Sequence, residues 1–396
     1  MHAIGLLSQW LAEHTVIKHR ARREALLKLV QALLSGGKLS LTQLGRHRAG
    51  AAYPKHQIKA ADRLLGNVHL YRERQRIYGA LAQTVLAGIQ RPVILVDWSD
   101  TDPSQRWYLL KAAVAVRGRA LSIYEKVYPL KDYGSSKAHC EFLQTLKTIL
   151  PDGCQPILVT DAGFRGPWFK AVEAQGWNWV GRILSNINYY REDLGRWQST
   201  RALFTQATAR IRHVGEVQLS SQLRYRFRLY LVRAYAARVG RPSRQRLQGG
   251  SARRHRRTHR MPWLLATSLR HEPGSSRRIK QLYAQRMQIE ETFRDTKSHR
   301  WGLGLRYARC SSPRRLEVLL LIAALATLLL WLIGMYGCAL DWARRLQANT
   351  EVRKPVLSIV FMGQQLLRRP DIRPSKSDFQ AALSALRLMI HQASPS

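Results

Sequence analysis

Apolar residues recur at helical spacing from Glu24 to Leu34 and again from Lys55 to Leu65, with Lys and Arg on the remaining faces. The pattern predicts two short basic amphipathic helices. Between them SLTQLGRHR offers Ser40 or Thr42 as an N-cap for a compact third helix. Residues 1 to about 70 are therefore expected to be helical, in a helix-turn-helix-like arrangement. The period then changes. RPVILVDWSD, WYLLKAAVAV and LSIYEKVYPL are apolar or alternating runs that predict three strands, with Arg117 and Gly118 in a hairpin turn. Residues 137 to 150 predict an amphipathic helix, QPILVTDAG a buried strand, PWFKAVEAQG a helix stopped by Gly176, and WNWVGRI another strand.

From about 184 to 261 regularity weakens. One alternating strand is legible, Arg226 to Val232, before a run dense in Arg, Gly and Ser at 237 to 260. PWLLATSL predicts a further strand, residues 277 to 301 one long helix ending near GLGL, and 316 to 333 an apolar helix followed by two helical stretches. Val318 to Ile333 is apolar except for Thr327. A membrane span needs about 20 apolar residues, and arginines flank this segment on both sides (Arg314, Arg315, Arg344, Arg345) without the asymmetry that orients a span. A buried core helix is expected instead.

The order β-β-β-α-β-α-β is that of an RNase H-like fold. The expected fold class is α/β: an RNase H-like catalytic core, a mixed sheet flanked by helices, with an inserted β-rich segment and helical N- and C-terminal domains. The expected boundaries are 1–70 (helical), 71–183 (first part of the core), 184–270 (β-rich, basic insertion), 271–340 (second part of the core) and 341–396 (helical).

Composition sharpens this picture. The chain has 396 residues, 45% hydrophobic, with 65 Lys and Arg against 25 Asp and Glu, a formal charge of +40. That content builds a core, and that charge calls for a polyanionic partner, nucleic acid first and an anionic membrane second. The 1–70 unit then reads as DNA-binding, and the 237–260 run as either a solvated charged surface or a contact to DNA phosphates. Cys140, Cys154, Cys310 and Cys338 are far apart and form no CxxC pair, so neither a zinc knuckle nor a disulfide framework is indicated. MHAIGLLSQWLAEH lacks the features of a signal peptide, and a cytoplasmic setting is expected.

Candidate chemistry rests on carboxylates. Asp97 follows the run VILV and Asp161 follows ILVT, so both are expected at strand ends, where sites in open α/β sheets gather; a helix cap or turn former is the other reading of each. In the long helix, Tyr283, Arg286, Glu290 and Lys297 stand at offsets 0, 3, 7 and 14, within an arc of about 60° at 3.6 residues per turn. Glu291 is turned about 100° away. A solvated helix with acid-base pairs would also carry such residues.

Tyr283, Arg286, Glu290 and Lys297 match Y-x2-R-x3-E-x6-K without a gap. With ILVDWSD, VTDAGF, RMQIEETFRDTKS and GLGLRYARCSS they make the chain resemble the bacterial DDE transposases of the insertion-sequence-four family over nearly its whole length. The resemblance implies that Asp97, Asp161 and Glu290 hold two Mg²⁺ ions, with Mn²⁺ able to substitute, for phosphoryl transfer. It implies that Tyr283, Arg286 and Lys297, joined by Arg294, hold DNA phosphates around a flipped base. Trp263 would fill the gap in the base stack, its other reading being a core residue. The implied partners are double-stranded DNA (terminal inverted repeats and target), a second copy in a homodimer and host DNA-bending proteins, with no membrane. The implied activity is cut-and-paste transposition; a DNA nuclease or resolvase of the same fold without strand transfer is the alternative.

Overall fold

The computed structural model describes residues 2–14, 17, 19–101, 104–184, 187–219, 225–233, 261–300, 302–310, 312–347 and 356–394. The basic run expected at 237 to 260 lies outside the described residues. By its contacts the chain divides into two compact units, Met1–Pro156 together with Met287–Ser396, and Ile157–Arg286.

The first unit opens with helices α1 (His2–Glu13), α2 (Arg20–Leu34), α3 (Leu41–Arg46) and α4 (Pro54–Leu65). Ser40 caps α3, its hydroxyl accepting from the Gln43 N–H, which satisfies one of the main-chain donors a helix start leaves open. A further helix, α5 (Val68–Leu86), follows where no helix is expected from the sequence. Its buried stripe Leu70, Arg74, Ile77, Tyr78, Leu81 and Val85 places an arginine where the period calls for an apolar residue, and this charge hides the amphipathic signal. Strands β1 (Val93–Asp100), β2 (Trp107–Ala115) and β3 (Ala120–Pro129) form an antiparallel array in the order β3-β2-β1. Ala115 pairs with Ala120 across the expected hairpin, where Gly118 takes φ of +73°, a conformation open to glycine. Helix α6 (Ser136–Ile149) completes this stretch.

The second unit holds β4 (Ile157–Thr160), α7 (Gly166–Glu173), β5 (Asn178–Ile183), β6 (Asn188–Arg191), β7 (Arg196–Ser199), α8 (Thr200–Phe204), β8 (Arg212–Leu219), β9 (Tyr225–Val232), β10 (Trp263–Thr267) and α9 (Ser275–Ala284). Its strands run in the order β4-β5-β10-β9-β8-β6-β7, with β4 and β5 parallel and the later pairs antiparallel. Its core is aromatic: Trp179 stacks on Phe169 with centroids 3.9 Å apart and meets Phe227 edge-on. Strands β6, β7 and β8 escape the sequence reading because they are short or half-exposed and rich in polar residues.

The first unit resumes with α10 (Met287–Lys297), α11 (Pro313–Ala339), α12 (Trp342–Leu346), α13 (Ile359–Leu366) and α14 (Lys376–Ala393). The single long helix expected over 277 to 301 is therefore two helices. Gln285 and Arg286 lie between them, where the amide bonds reach back three residues, Gln285 to Leu282 (3.2 Å) and Arg286 to Tyr283 (3.0 Å). This tightened turn uses no Pro or Gly, so periodicity does not reveal it.

Helix α11 is buried almost all round and packs on α13, α14, β3, α2 and α5. Its apolar sequence is that of a central core helix, 94% buried over its most apolar window, in accord with the expectation for this segment. Glu317 is the exception, 2% exposed. It pairs with buried Arg74, and its Oε1 accepts from the Val127 N–H at 2.8 Å on the outer edge of β3. A second buried pair, Lys111 with Glu125 at 2.9 Å, is completed by the Tyr78 hydroxyl donating to Glu125 Oε2 at 3.0 Å. Each buried charge thus faces an opposite charge, as burial demands, although Arg74 Nε has no hydrogen-bond partner among the described residues.

Helices α11 and α13 cross at glycines. A Cβ on Gly334 would stand 2.1 Å from the Ile359 carbonyl oxygen, and one on Gly363 would stand 2.1 Å from that of Leu330. Main-chain atoms in packed helices cannot step aside. Gly363→Ala is expected to lower stability by about 1–3 kcal/mol. Gly5→Ala in α1, where a Cβ meets nothing within 4 Å, is expected to raise it by up to about 1 kcal/mol. Urea unfolding followed by circular dichroism checks the pair, and two changes of the same sign would disprove the close-crossing argument.

Candidate active site

In the first unit Asp97 lies within β1, half-buried and opposite Lys111 of β2. The expectation that it ends a strand needs correction, since pairing continues to Asp100 opposite Tyr108. The reason is cross-strand support: β2 supplies partners for Trp98, Ser99 and Asp100 although their side chains are only half-buried. Asp97 Oδ1 accepts from the Trp98 N–H at 2.8 Å. Side chains alternate along a strand, so Trp98 points to the other face. There its Nε1 donates to His139 Nε2 at 3.1 Å, and its ring meets Tyr128 and Tyr133 edge-on. This aromatic cluster anchors the strand that carries Asp97.

Helix α10 carries Glu290, Arg294 and Lys297 and packs on β1, β2 and β3. Its seat is polar. Gln288 Oε1 accepts from the Val116 N–H at 2.9 Å, and Thr292 Oγ1 makes 3.0 Å bonds with both the N–H and the carbonyl of Ala120. Two ammonium groups approach the Phe293 ring, Lys111 Nζ at 4.9 Å and Lys297 Nζ at 5.6 Å from its centre, a favourable cation-π arrangement. Glu290 is half-buried. Its neighbour Glu291 is engaged by Arg294 at 2.8 Å and Arg119 at 3.6 Å, and Asp295 by Arg119 at 2.6 Å. Arg294 is otherwise exposed. Lys297 is largely buried and donates to Asp100 Oδ1 at 2.6 Å, while Arg306 reaches Asp100 Oδ2 at 3.2 Å. Burial pushes the Asp100 carboxyl up, but the Lys297 hydrogen bond and charge, with Arg306, outweigh it and hold Asp100 below the usual carboxylate range. Burial lowers Lys297. Reading the sequence missed Asp100, Arg119 and Arg306 because their roles arise from partners distant along the chain.

In the second unit Asp161 directly follows β4, as expected, and its Oδ1 accepts from the Gly163 N–H at 2.8 Å in a local turn. Tyr283, at the end of α9, is 4% exposed and meets Trp263 edge-on at 5.0 Å. The Arg286 guanidinium lies 6.0 Å from the Tyr283 ring centre. Burial raises the Tyr283 phenol, with the Asp161 charge acting in the same direction and Arg286 and Arg182 against it. Tyr283, Arg286 and Trp263 are therefore brought together, whereas the expected single-helix stripe running on to Glu290 and Lys297 is interrupted at Gln285 and Arg286. Among the described residues no group of three or more His, Cys, Asp or Glu is arranged to hold a metal ion.

Residues 88–329 match the family model of the transposase DDE domain. The chain belongs to this family. More than half of it is covered, and the match includes Asp97, Asp161, Trp263, Tyr283, Arg286, Glu290, Arg294 and Lys297. No curated protein matches the chain. The mixed α/β architecture accords with the RNase H-like core of such a transposase, an enzyme whose substrate is DNA and whose family works with divalent metal ions.

The anchor beneath Asp97 yields a pH dependence. His139 accepts the Trp98 N–H while neutral, and burial pushes it down to about 4. Its pKa is thus depressed from an unfolded value near 6.5, so its contribution to stability is present above about pH 6.5 and is lost as pH falls toward 4. Lowering pH from 7.5 to 5 is expected to cost up to about 2 kcal/mol through this group. His139→Gln should flatten that dependence in urea unfolding, and an unchanged slope would remove His139 as its source.

Proposed function

We propose that this transposase is a cut-and-paste enzyme of the insertion-sequence-four family. It binds terminal inverted repeats, pairs two ends in a homodimer, excises the element by nicking, hairpin formation and resolution, and joins the 3′-hydroxyl ends to target DNA. The observation that carries this reading is the family match over a segment that holds all three acids together with the Tyr283, Arg286, Glu290 and Lys297 signature. The reading extends to a kinship with the transposase of the tetracycline-resistance composite transposon.

Asp97, Asp161 and Glu290 are assigned as the ligands of two Mg²⁺ ions, which Mn²⁺ can replace. The donor set fits, because hard divalent cations take carboxylate oxygens and keep positions for water and phosphate. Such ions, when bound, supply charge stabilisation at the attacking and leaving oxygens of an in-line displacement. The chain's own residues do the positioning. The local N–H bonds to Oδ1 of Asp97 and of Asp161 hold each carboxylate in one orientation. Thr292 and Gln288 hold the helix of Glu290 against the strands. The engagement of Glu291 by Arg119 and Arg294 supports Glu290 as the acting acid.

Tyr283, Arg286, Lys297 and Arg294 are assigned to DNA phosphates around a flipped base, and Trp263 to the gap it leaves, a role for which a flat ring substitutes for base stacking. Residues 1–70 are assigned to terminal-repeat binding, the segments 71–183 and 271–340 to the catalytic core, 184–270 to its inserted, basic segment, and 341–396 to dimerisation. The enzyme works in the cytoplasm on the nucleoid, without a membrane partner.

The test incubates wild type and Glu290→Gln with DNA carrying the element's own terminus, with and without Mg²⁺, and resolves the products on denaturing gels. Mg²⁺-dependent nicks and hairpins from wild type alone are expected, with DNA binding by the variant nearly intact. Cleavage by Glu290→Gln would refute the assignment of that acid. Nicks without hairpins would favour a nuclease or resolvase of the same fold.

A further inference from the structure

The loop after α10 is built rather than merely connecting. Gly302 and Gly304 donate to the Ser298 carbonyl at 3.1 and 3.0 Å, and Leu303 to that of Asp295 at 2.7 Å. A Cβ on Gly302 would stand 2.0 Å from the Asp295 carbonyl oxygen, and Gly304 takes φ of +76°. From the N-terminal side Lys38 Nζ donates to the Gly302 carbonyl at 2.7 Å, and the Leu39 N–H to that of Leu303 at 2.8 Å. The loop held in this way presents the short helical turn Leu305–Tyr307, which carries Arg306.

Arg306 and Lys297 meet on one carboxylate. Lys297 takes Oδ1 of Asp100 at 2.6 Å and Arg306 takes Oδ2 at 3.2 Å, the three side chains being 11%, 51% and 25% exposed in the order Lys297, Arg306, Asp100. Two cations that would otherwise repel are thus held side by side by a pair of anionic oxygens. The non-bridging oxygens of a phosphodiester offer the same pair. In a chain with 65 cations and 25 acids, a carboxylate placed between two cations takes the position that a DNA phosphate would otherwise fill.

We propose that Lys297 and Arg306 form a single two-pronged phosphodiester site and that Asp100 is its place-holder, displaced when a DNA phosphate arrives. The inference rests on the DNA-binding reading above and adds to it Arg306 as a binding residue and Asp100 as a built-in competitor. Before DNA binds, Asp100 keeps both cations oriented; on binding, its charge opposes the incoming phosphate and so lowers affinity.

The full-length chain is titrated against a fluorescent double-stranded oligonucleotide of arbitrary sequence, without divalent metal, over a range of salt. Arg306→Ala is expected to bind several-fold more weakly, with a salt slope smaller by about 0.9, the value for one phosphate contact. Asp100→Asn is expected to bind several-fold more tightly, and to gain less than that on an Arg306→Ala background, since the competitor then guards half a site. A wild-type slope in Arg306→Ala overturns the site. Unchanged or weaker binding by Asp100→Asn with a wild-type melting temperature overturns the place-holder. Should Asp100→Asn fail to fold, Arg306→Ala, altered at a half-exposed side chain, decides the site. Failure of the wild-type chain to bind the duplex would instead remove the DNA-binding reading on which the inference rests.

Discussion

The outer edge of strand β3 sets the construction of the first unit. An edge strand presents N–H and carbonyl groups with no strand to pair them, and here the edge is covered by protein. Burial without partners would cost about 1–3 kcal/mol for each such group. The chain answers with side chains: Thr292 serves Ala120 and Glu317 serves Val127, while Gln288 serves Val116 at the neighbouring turn. Two of the three belong to α10, so the helix that carries Glu290 is seated by main-chain hydrogen bonds as well as apolar packing. The third belongs to α11, and its charge requires Arg74 on α5. One constraint of polar satisfaction thereby locates three helices around the strand pair next to Asp97.

Charge is organised with similar economy. Acids are scarce in this chain, and several are committed to holding cations: Glu317 to Arg74, Glu125 to Lys111, Glu291 and Asp295 to Arg119, Asp100 to Lys297 and Arg306. The buried pairs add direction more than net stability, because desolvation consumes most of their attraction. Lys111 shows the point. Opposite Asp97 in register, its ammonium is drawn to Glu125 and to the face of Phe293, which ties the middle strand to α10.

The turn at Gln285 and Arg286 separates two groups of side chains that the sequence runs together. On its N-terminal side Tyr283 is packed with Trp263 and faced by Arg286; on its C-terminal side Glu290 and Lys297, seven residues apart, share one face of α10. The boundary between the two compact units falls at the same place.

What the sequence determined by itself was whatever is written in local period and spacing. The strand-hairpin-helix order up to Ile183, the Ser40 cap, the glycine turns at 118 and 176, the apolar core helix and the four-residue signature are all legible because each depends on residues close in the chain. The tertiary structure decided the rest. Helix α5 was hidden because Arg74 occupies a core position that only Glu317, far along the chain, makes tolerable. Strand β1 runs past Asp97 because β2 supplies cross-strand partners for half-buried residues. The break after Ala284 carries no Pro or Gly to announce it. Asp100 and Arg306 meet only because a glycine-built loop turns back on its own helix. For α5, β1 and the Asp100–Arg306 pair, a hydrogen bond or ion pair with a residue elsewhere in the chain outweighed the local preference, and no local pattern encodes such a partner.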